Sequence, residues 1–195
     1  MNSRPGMSLL CAALALLAVC NAALAEQVID VHFVNDATSG QEVLKAQATY
    51  EHHGAALRRV LLAFPGYADL HPWIAEATSV SPAVDGRSEI LIRFKFPWPA
   101  GQRWSRIEVN TDHQDVITWR QVEGTMNANR GQLKLVASGQ RIRVDYSAVI
   151  NAGFPDAWTR GFKKQFVTEF IDAAHVRAAD TDTGRLRIAD SSPNR

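Results

Sequence analysis

Between Thr78 and Ile150 the apolar residues of this chain fall at every second position, run after run. Beyond Pro155 the period becomes that of a helix. No other feature constrains the fold as much. Ile90, Ile92, Phe94 and Phe96 share one side of their run, with Arg93 and Lys95 on the other. Side chains alternate across a strand, so such a run has one face to bury and one to wet. Four more runs follow, Arg103 to Val109, Asp115 to Val122, Gly131 to Ala137 and Gln140 to Ile150. Short turns at 112–115, 127–130 and 138–139 separate them, which predicts one antiparallel sheet.

The flanking segments complete an α+β order. Val28 to Val34 is β-rich, Asp36 to Gly40 is turn composition, and Glu42 to His52 alternates, so the three read as a hairpin. From Gly54 to Phe64 the residues Leu57, Val60, Leu61 and Phe64 take helical spacing, and Pro65-Gly66 ends that helix. The stretch YADLHPWI reads as irregular. At the far end Pro155 and Asp156 open a long helix on which Trp158, Phe162, Phe166, Phe170 and Ala174 recur every four residues. Lys163, Lys164, Gln165 and Glu169 lie off that row, so the helix is expected to bury an aromatic stripe.

The N-terminus reads as an export signal. Arg4 precedes an apolar run from Leu9 to Val19, too short for a permanent membrane span, and Ala23-Leu24-Ala25 offers small residues at the cleavage positions. Cleavage is expected after Ala25, giving a periplasmic or secreted protein. Acylation at Cys20 is the lesser alternative, because Val19 before it is not small. Both cysteines, Cys11 and Cys20, fall inside the signal, so the mature 170 of the 195 residues hold no disulfide or thiol. The expected boundaries are 1–25 signal, 26–179 a single domain and 180–195 a polar, disordered tail.

Composition removes further classes. Losing Arg4 leaves 20 basic against 20 acidic residues, so nucleic-acid binding has no electrostatic footprint. There is no HExxH, no GxSxG elbow, no phosphate-cradling glycine loop and no pair of acids with convergent spacing. No catalytic residue, metal ligand or cofactor is assigned.

Several passages carry a resemblance. FPGYADLHPWI places Tyr67, Pro72 and Trp73 where bacterial polyketide cyclase/dehydrase-type proteins have a tyrosine, a proline and an aromatic residue. FPWPAGQRW, ITWRQVEGTMNANRGQLKL and INAGFPDAW add to it, and the likeness runs from about Val43 to Val176. The chain resembles the START-like (SRPBCC) superfamily of polyketide cyclases and coenzyme Q-binding proteins. That resemblance implies a helix-grip fold, a curved antiparallel sheet wrapped around the C-terminal helix with an apolar pocket between. The pocket candidates are then Trp73, Phe94, Trp98, Trp119, Tyr146, Trp158, Phe162, Phe166 and Phe170. Ile92, Ile107, Ile142 and Val144 are further candidates for the concave face. Spacing alone does not separate a cavity from a filled core, since an apolar stripe is buried either way.

Three expectations remain. Arg106 and Arg120, in a polar set with Arg103, Glu108 and Glu123, would anchor a ligand head group if they face inward. Cross-strand ion pairs on the wet face are the ordinary alternative. In FPWPAGQRWS the prolines stiffen a loop at the rim. Trp98 there would close over the pocket or touch a membrane transiently, while Trp104 is expected to turn its ring into the core. The sequence therefore favours a monomeric exported carrier of a lipid-like, isoprenoid or aromatic small molecule over an enzyme. A cyclase/dehydratase-like enzyme and an interaction module with a filled core are the alternatives.

Overall fold

Eight strands pair in a single antiparallel sheet, and the order of their pairing explains how one helix is gripped. The structure, a computed structural model, describes residues 28–182 except His52 and Pro99. The expected signal and most of the expected tail lie outside the described residues. The strands are β1 (Asp30–Asn35), β2 (Glu42–Glu51), β3 (Ile74–Ser79), β4 (Arg87–Lys95), β5 (Gln102–Asn110), β6 (Val116–Gly124), β7 (Ala128–Ser138) and β8 (Arg141–Asn151). A short helix, α1 (Gly54–Leu62), and a 3₁₀ segment (Phe64–Asp69) lie between β2 and β3. The long helix α2 (Asp156–Asp182) follows β8. The sheet order is β1-β2-β8-β7-β6-β5-β4-β3. Strands β3 to β8 thus form a meander, and the β1–β2 hairpin closes against β8.

The alternation in the sequence is the alternation in space. On β8, Ile142, Val144, Tyr146 and Ala148 are buried while Arg141 and Arg143 are exposed. The turn before it needs Gly139 at φ +60, a region that suits glycine. The curved sheet wraps α2, the helix-grip arrangement expected.

Four expectations need correction here. β3 is a strand where irregular chain was expected at its start. Trp104 lies with Arg106 and Glu108 on the outer face of β5, because Ser105, Ile107 and Val109 take the inner one. Lys163 is buried, not off the buried row, since it sits four residues from both Thr159 and Val167 in the row that α2 buries. The helix also runs through Asp182, past the expected boundary at 179. Its last turn is fastened there: Ala178 is fully buried, and Asp182 meets His53 at 2.7 Å and Arg59 at 3.5 Å.

The interior divides along α2. Near its C-terminal half, α1 inserts Leu57 and Val60 beside Ile171, Ala174 and Ala178, and Tyr50 closes the group with its hydroxyl on Asp172 at 3.1 Å, while Leu61 reaches the cavity described next. That half is filled. Among the described residues no α-helix packs beside the N-terminal half of α2, which borders that cavity.

Candidate functional site

The space between α2 and strands β4 to β8 holds a cavity of about 130 Å³. One water needs roughly 10–15 Å³ on the same measure, so there is room for a small organic molecule. Seven of the nine expected pocket residues line it: Trp73, Phe94, Trp119, Tyr146, Phe162, Phe166 and Phe170. Ile92 and Ile107 line it too, whereas Ile142 and Val144 are buried in the filled half.

The aromatic rings form a connected wall. Trp73 stacks on Phe166 with centroids 6.4 Å apart and meets Phe162 edge-on at 6.0 Å. Phe94 stacks on Phe96 at 5.1 Å, and Phe166 on Phe170 at 5.9 Å. Across the sheet, Trp119 lies 5.5 Å from Tyr146. Residues deep in the wall, such as Val109 and Leu133, are buried, whereas Trp73, Phe96, Ala152 and Phe162 are only half-buried. The cavity therefore approaches the surface between the β4–β5 loop, the β8–α2 loop and the first turns of α2.

Two expected pocket residues are elsewhere. Trp158 is 68 % exposed. It precedes the fully buried Val167 by nine residues, about two and a half helical turns, and so points the opposite way. A row repeating every four residues drifts about 40° per step on a helix of 3.6 residues per turn, and by Trp158 it has left the buried face. Trp98 is 89 % exposed at the tip of the β4–β5 loop and does not line the cavity.

Arg106 and Arg120 do not anchor anything in the cavity. Arg106 bridges Glu89 at 2.8 Å and Glu123 at 2.7 Å, and Arg120 meets Glu108 at 3.0 Å, all on the outer face. The alternation that turns Ile107 inward turns its neighbours outward, and β-sheet charges pair with cross-strand partners there.

The polar groups that do reach the cavity went unassigned in the sequence. Asn129 and Lys163 line it, at 7 % and 8 % exposure. Asn129 Oδ1 accepts the Trp119 indole N–H at 3.0 Å. Lys163 Nζ lies 2.6 Å from Asp156 Oδ1 and 3.3 Å from Glu42 Oε1. Tyr67 donates to the Leu61 carbonyl. Burial pushes the Tyr67 and Tyr146 phenols far above the ordinary tyrosine range, so both stay neutral. Helical spacing signalled Lys163 through Thr159, Val167 and Ile171; Asn129 continues the inward row of Gly131, Leu133 and Leu135, but the expected turn at 127–130 hid it, since β7 in fact begins at Ala128.

His71 positions Trp73 at the rim. Its Nδ1 accepts the Trp73 backbone N–H at 3.0 Å, and its carbonyl accepts from Ile74. Nε2 lies 3.1 Å from Glu169 Oε2, off the line that a hydrogen bond needs. Burial holds the imidazole below the usual histidine pKa, with the Glu169 carboxylate opposing that shift. Among the described residues no group of three acidic, histidine or cysteine side chains could hold a metal ion.

Comparison of the sequence with protein-family models and with curated proteins finds no match. Solved structures do match the fold. Human StAR-related lipid transfer protein 5 is similar at 8 % identity and TM-score 0.63, over 88 % of this chain and 95 % of that one. The Zhui aromatase/cyclase from a Streptomyces species is similar at 16 % identity and TM-score 0.60, over 76 % and 97 %. A STAR-related lipid transfer protein from Xanthomonas axonopodis is similar at 17 % identity and TM-score 0.58, over 77 % and 90 %. At such identities the likeness is one of fold.

Proposed function

We propose that this chain, with the START-like helix-grip fold, is an exported carrier that holds a small apolar, ring-bearing molecule between its sheet and α2. The observation that carries the reading is the aromatic-walled cavity, which leaves half of the grip unfilled where α1 fills the other half. Apolar surface removed from water supplies the affinity, about 25 cal/mol per Å², less the cost of ordering the ligand. A solid-cored interaction module does not need that space. The lipid transfer proteins and the aromatase/cyclase of the same fold give the two ligand classes to test first, lipids and polyketide-like aromatics.

In this reading the protein acts as a monomer in the periplasm or outside the cell, after cleavage behind Ala25. The exposed Trp98 loop beside the rim serves a transient contact with a membrane during loading, since an indole suits the boundary between apolar and wet. A cyclase/dehydratase-like enzyme is the second reading. The placement of Tyr146 in the cavity wall favours it, since its phenol can donate a hydrogen bond to a substrate carbonyl.

Native mass spectrometry of protein exported to the periplasm and purified without detergent tests the carrier. The expected result is an adduct of one defined mass, released on denaturation. A clean apo mass, with no uptake from a total lipid extract, would remove this reading and leave the enzyme.

A further inference from the structure

Two polar groups of the cavity wall have a donor unused among the described residues, the Tyr146 phenol and the Asn129 amide, and only the amide is held in a fixed direction by a hydrogen bond of its own. Asn129 is 7 % exposed and lines the cavity. An indole N–H only donates, so the Trp119 bond at 3.0 Å requires the Asn129 oxygen on its side. The NH₂ group is thereby turned the other way, and no described residue accepts a hydrogen bond from it. That nitrogen is not sealed in by protein atoms, so an acceptor on a ligand can reach it and gain one hydrogen bond.

The opposite wall carries Lys163, whose charge is already used. Its ammonium faces Asp156 and Glu42, and the Arg160 guanidinium also meets Glu42. Two cations are matched by two carboxylates. An incoming anion would have to compete with both carboxylates for the same ammonium, and displacing Glu42, which is 4 % exposed, would leave its charge poorly solvated.

We propose, resting on the carrier reading above, that the cavity selects a neutral ring compound bearing a carbonyl-type acceptor, seated on the Asn129 amide N–H. Asn129 is the specificity-determining residue, and carboxylates of the same shape are rejected.

The test is a matched set of three bicyclic probes: tetralin, tetralone and tetralin carboxylate. Each is titrated into the purified protein at pH 8 and followed by tryptophan fluorescence and calorimetry. Tetralone is expected to bind about three- to tenfold more tightly than tetralin, the worth of one hydrogen bond in a buried site. The carboxylate is expected to bind at least about tenfold more weakly than tetralone. Asn129→Leu should erase the preference for tetralone while keeping tetralin. Asn129→Asp keeps an acceptor for Trp119 and removes the donor, so it should erase the preference as well. Equal affinities for tetralin and tetralone in the unaltered protein would overturn the Asn129 assignment and leave the carrier reading standing. Carboxylate binding as tight as tetralone would overturn the charge exclusion. Failure of all three probes, with the lipid extract also giving no adduct, would overturn both.

Discussion

Trp158 and Phe170 are both large aromatic residues of α2, one 68 % exposed and the other 7 %. Their difference is one of helical phase, and it should be measurable. Trp158→Ala is expected to change the unfolding free energy by less than about 0.5 kcal/mol, as for most exposed positions. Phe170→Ala should cost about 3 kcal/mol, because removing its ring joins a new void to the existing cavity. Urea denaturation of both variants checks this, and equal losses would contradict the assigned phase. Gly131 gives a complementary case. It pairs with Trp119, and a Cβ there would meet the Ser147 carbonyl oxygen at 2.5 Å and the Trp119 ring at 2.6 Å. Gly131→Ala is therefore expected to cost about 1–3 kcal/mol as an overpacked site and to shift tryptophan fluorescence. An unchanged spectrum and stability would mean that Trp119 does not lie across that position.

At the scale of elements, the sequence displayed the fold well where a strand keeps its period and poorly where it does not. β8 alternates without fault and was legible throughout. β3 was only partly legible because a bulge between Ile74 and Glu76 breaks its register with β4, leaving Ile74 and Ala77 buried three residues apart. Seven of the nine expected cavity residues line the cavity, because strand alternation and a helical row both identify buried faces. The polar contributors were less legible: Asn129 matters through a bond to the adjacent strand and His71 through a local backbone bond to Trp73, and neither bond leaves a mark in hydrophobic periodicity. The turn that His71 makes into β3 has a pH consequence. Burial lowers the pKa of His71, and of His175, whose shift His53 reinforces and Asp172 opposes. Their unfolded values lie near 6.5, so below that pH the unfolded chain binds more protons than the folded one. Stability is then complete above about pH 6.5 and falls as the pH drops. Protonating His71 at Nδ1 also removes the acceptor that Trp73 uses. The midpoint of thermal unfolding should fall between pH 7.5 and 5.5, and less steeply in His71→Gln. Identical slopes would show that His71 does not carry the effect.

For the whole molecule, the division of the interior into a filled half and an open half links stability to occupancy. A ligand that binds only the folded state adds RT ln(1 + [L]/Kd), about 2.7 kcal/mol at a hundredfold excess over Kd. In a chain of this length each kcal/mol moves the unfolding midpoint by roughly 2–4 °C. Protein taken from the periplasm with its cargo should therefore unfold about 5–10 °C above the same protein after unfolding, solvent extraction and refolding. Adding back the extracted material should restore the difference, whereas buffer carried through the same extraction should not. The cavity wall predicts where the gain resides. Phe166→Ala enlarges the wall that Trp73, Phe94 and Phe170 share, so it should reduce the cargo-dependent shift more than it lowers the apo midpoint. Trp158→Ala, on the far side of the same helix, should leave the shift intact. If extraction changes nothing in the unaltered protein while its fold and mass are preserved, the open half of the grip does not travel occupied. The cavity would then have to be explained by transient substrate binding, as the enzyme reading requires.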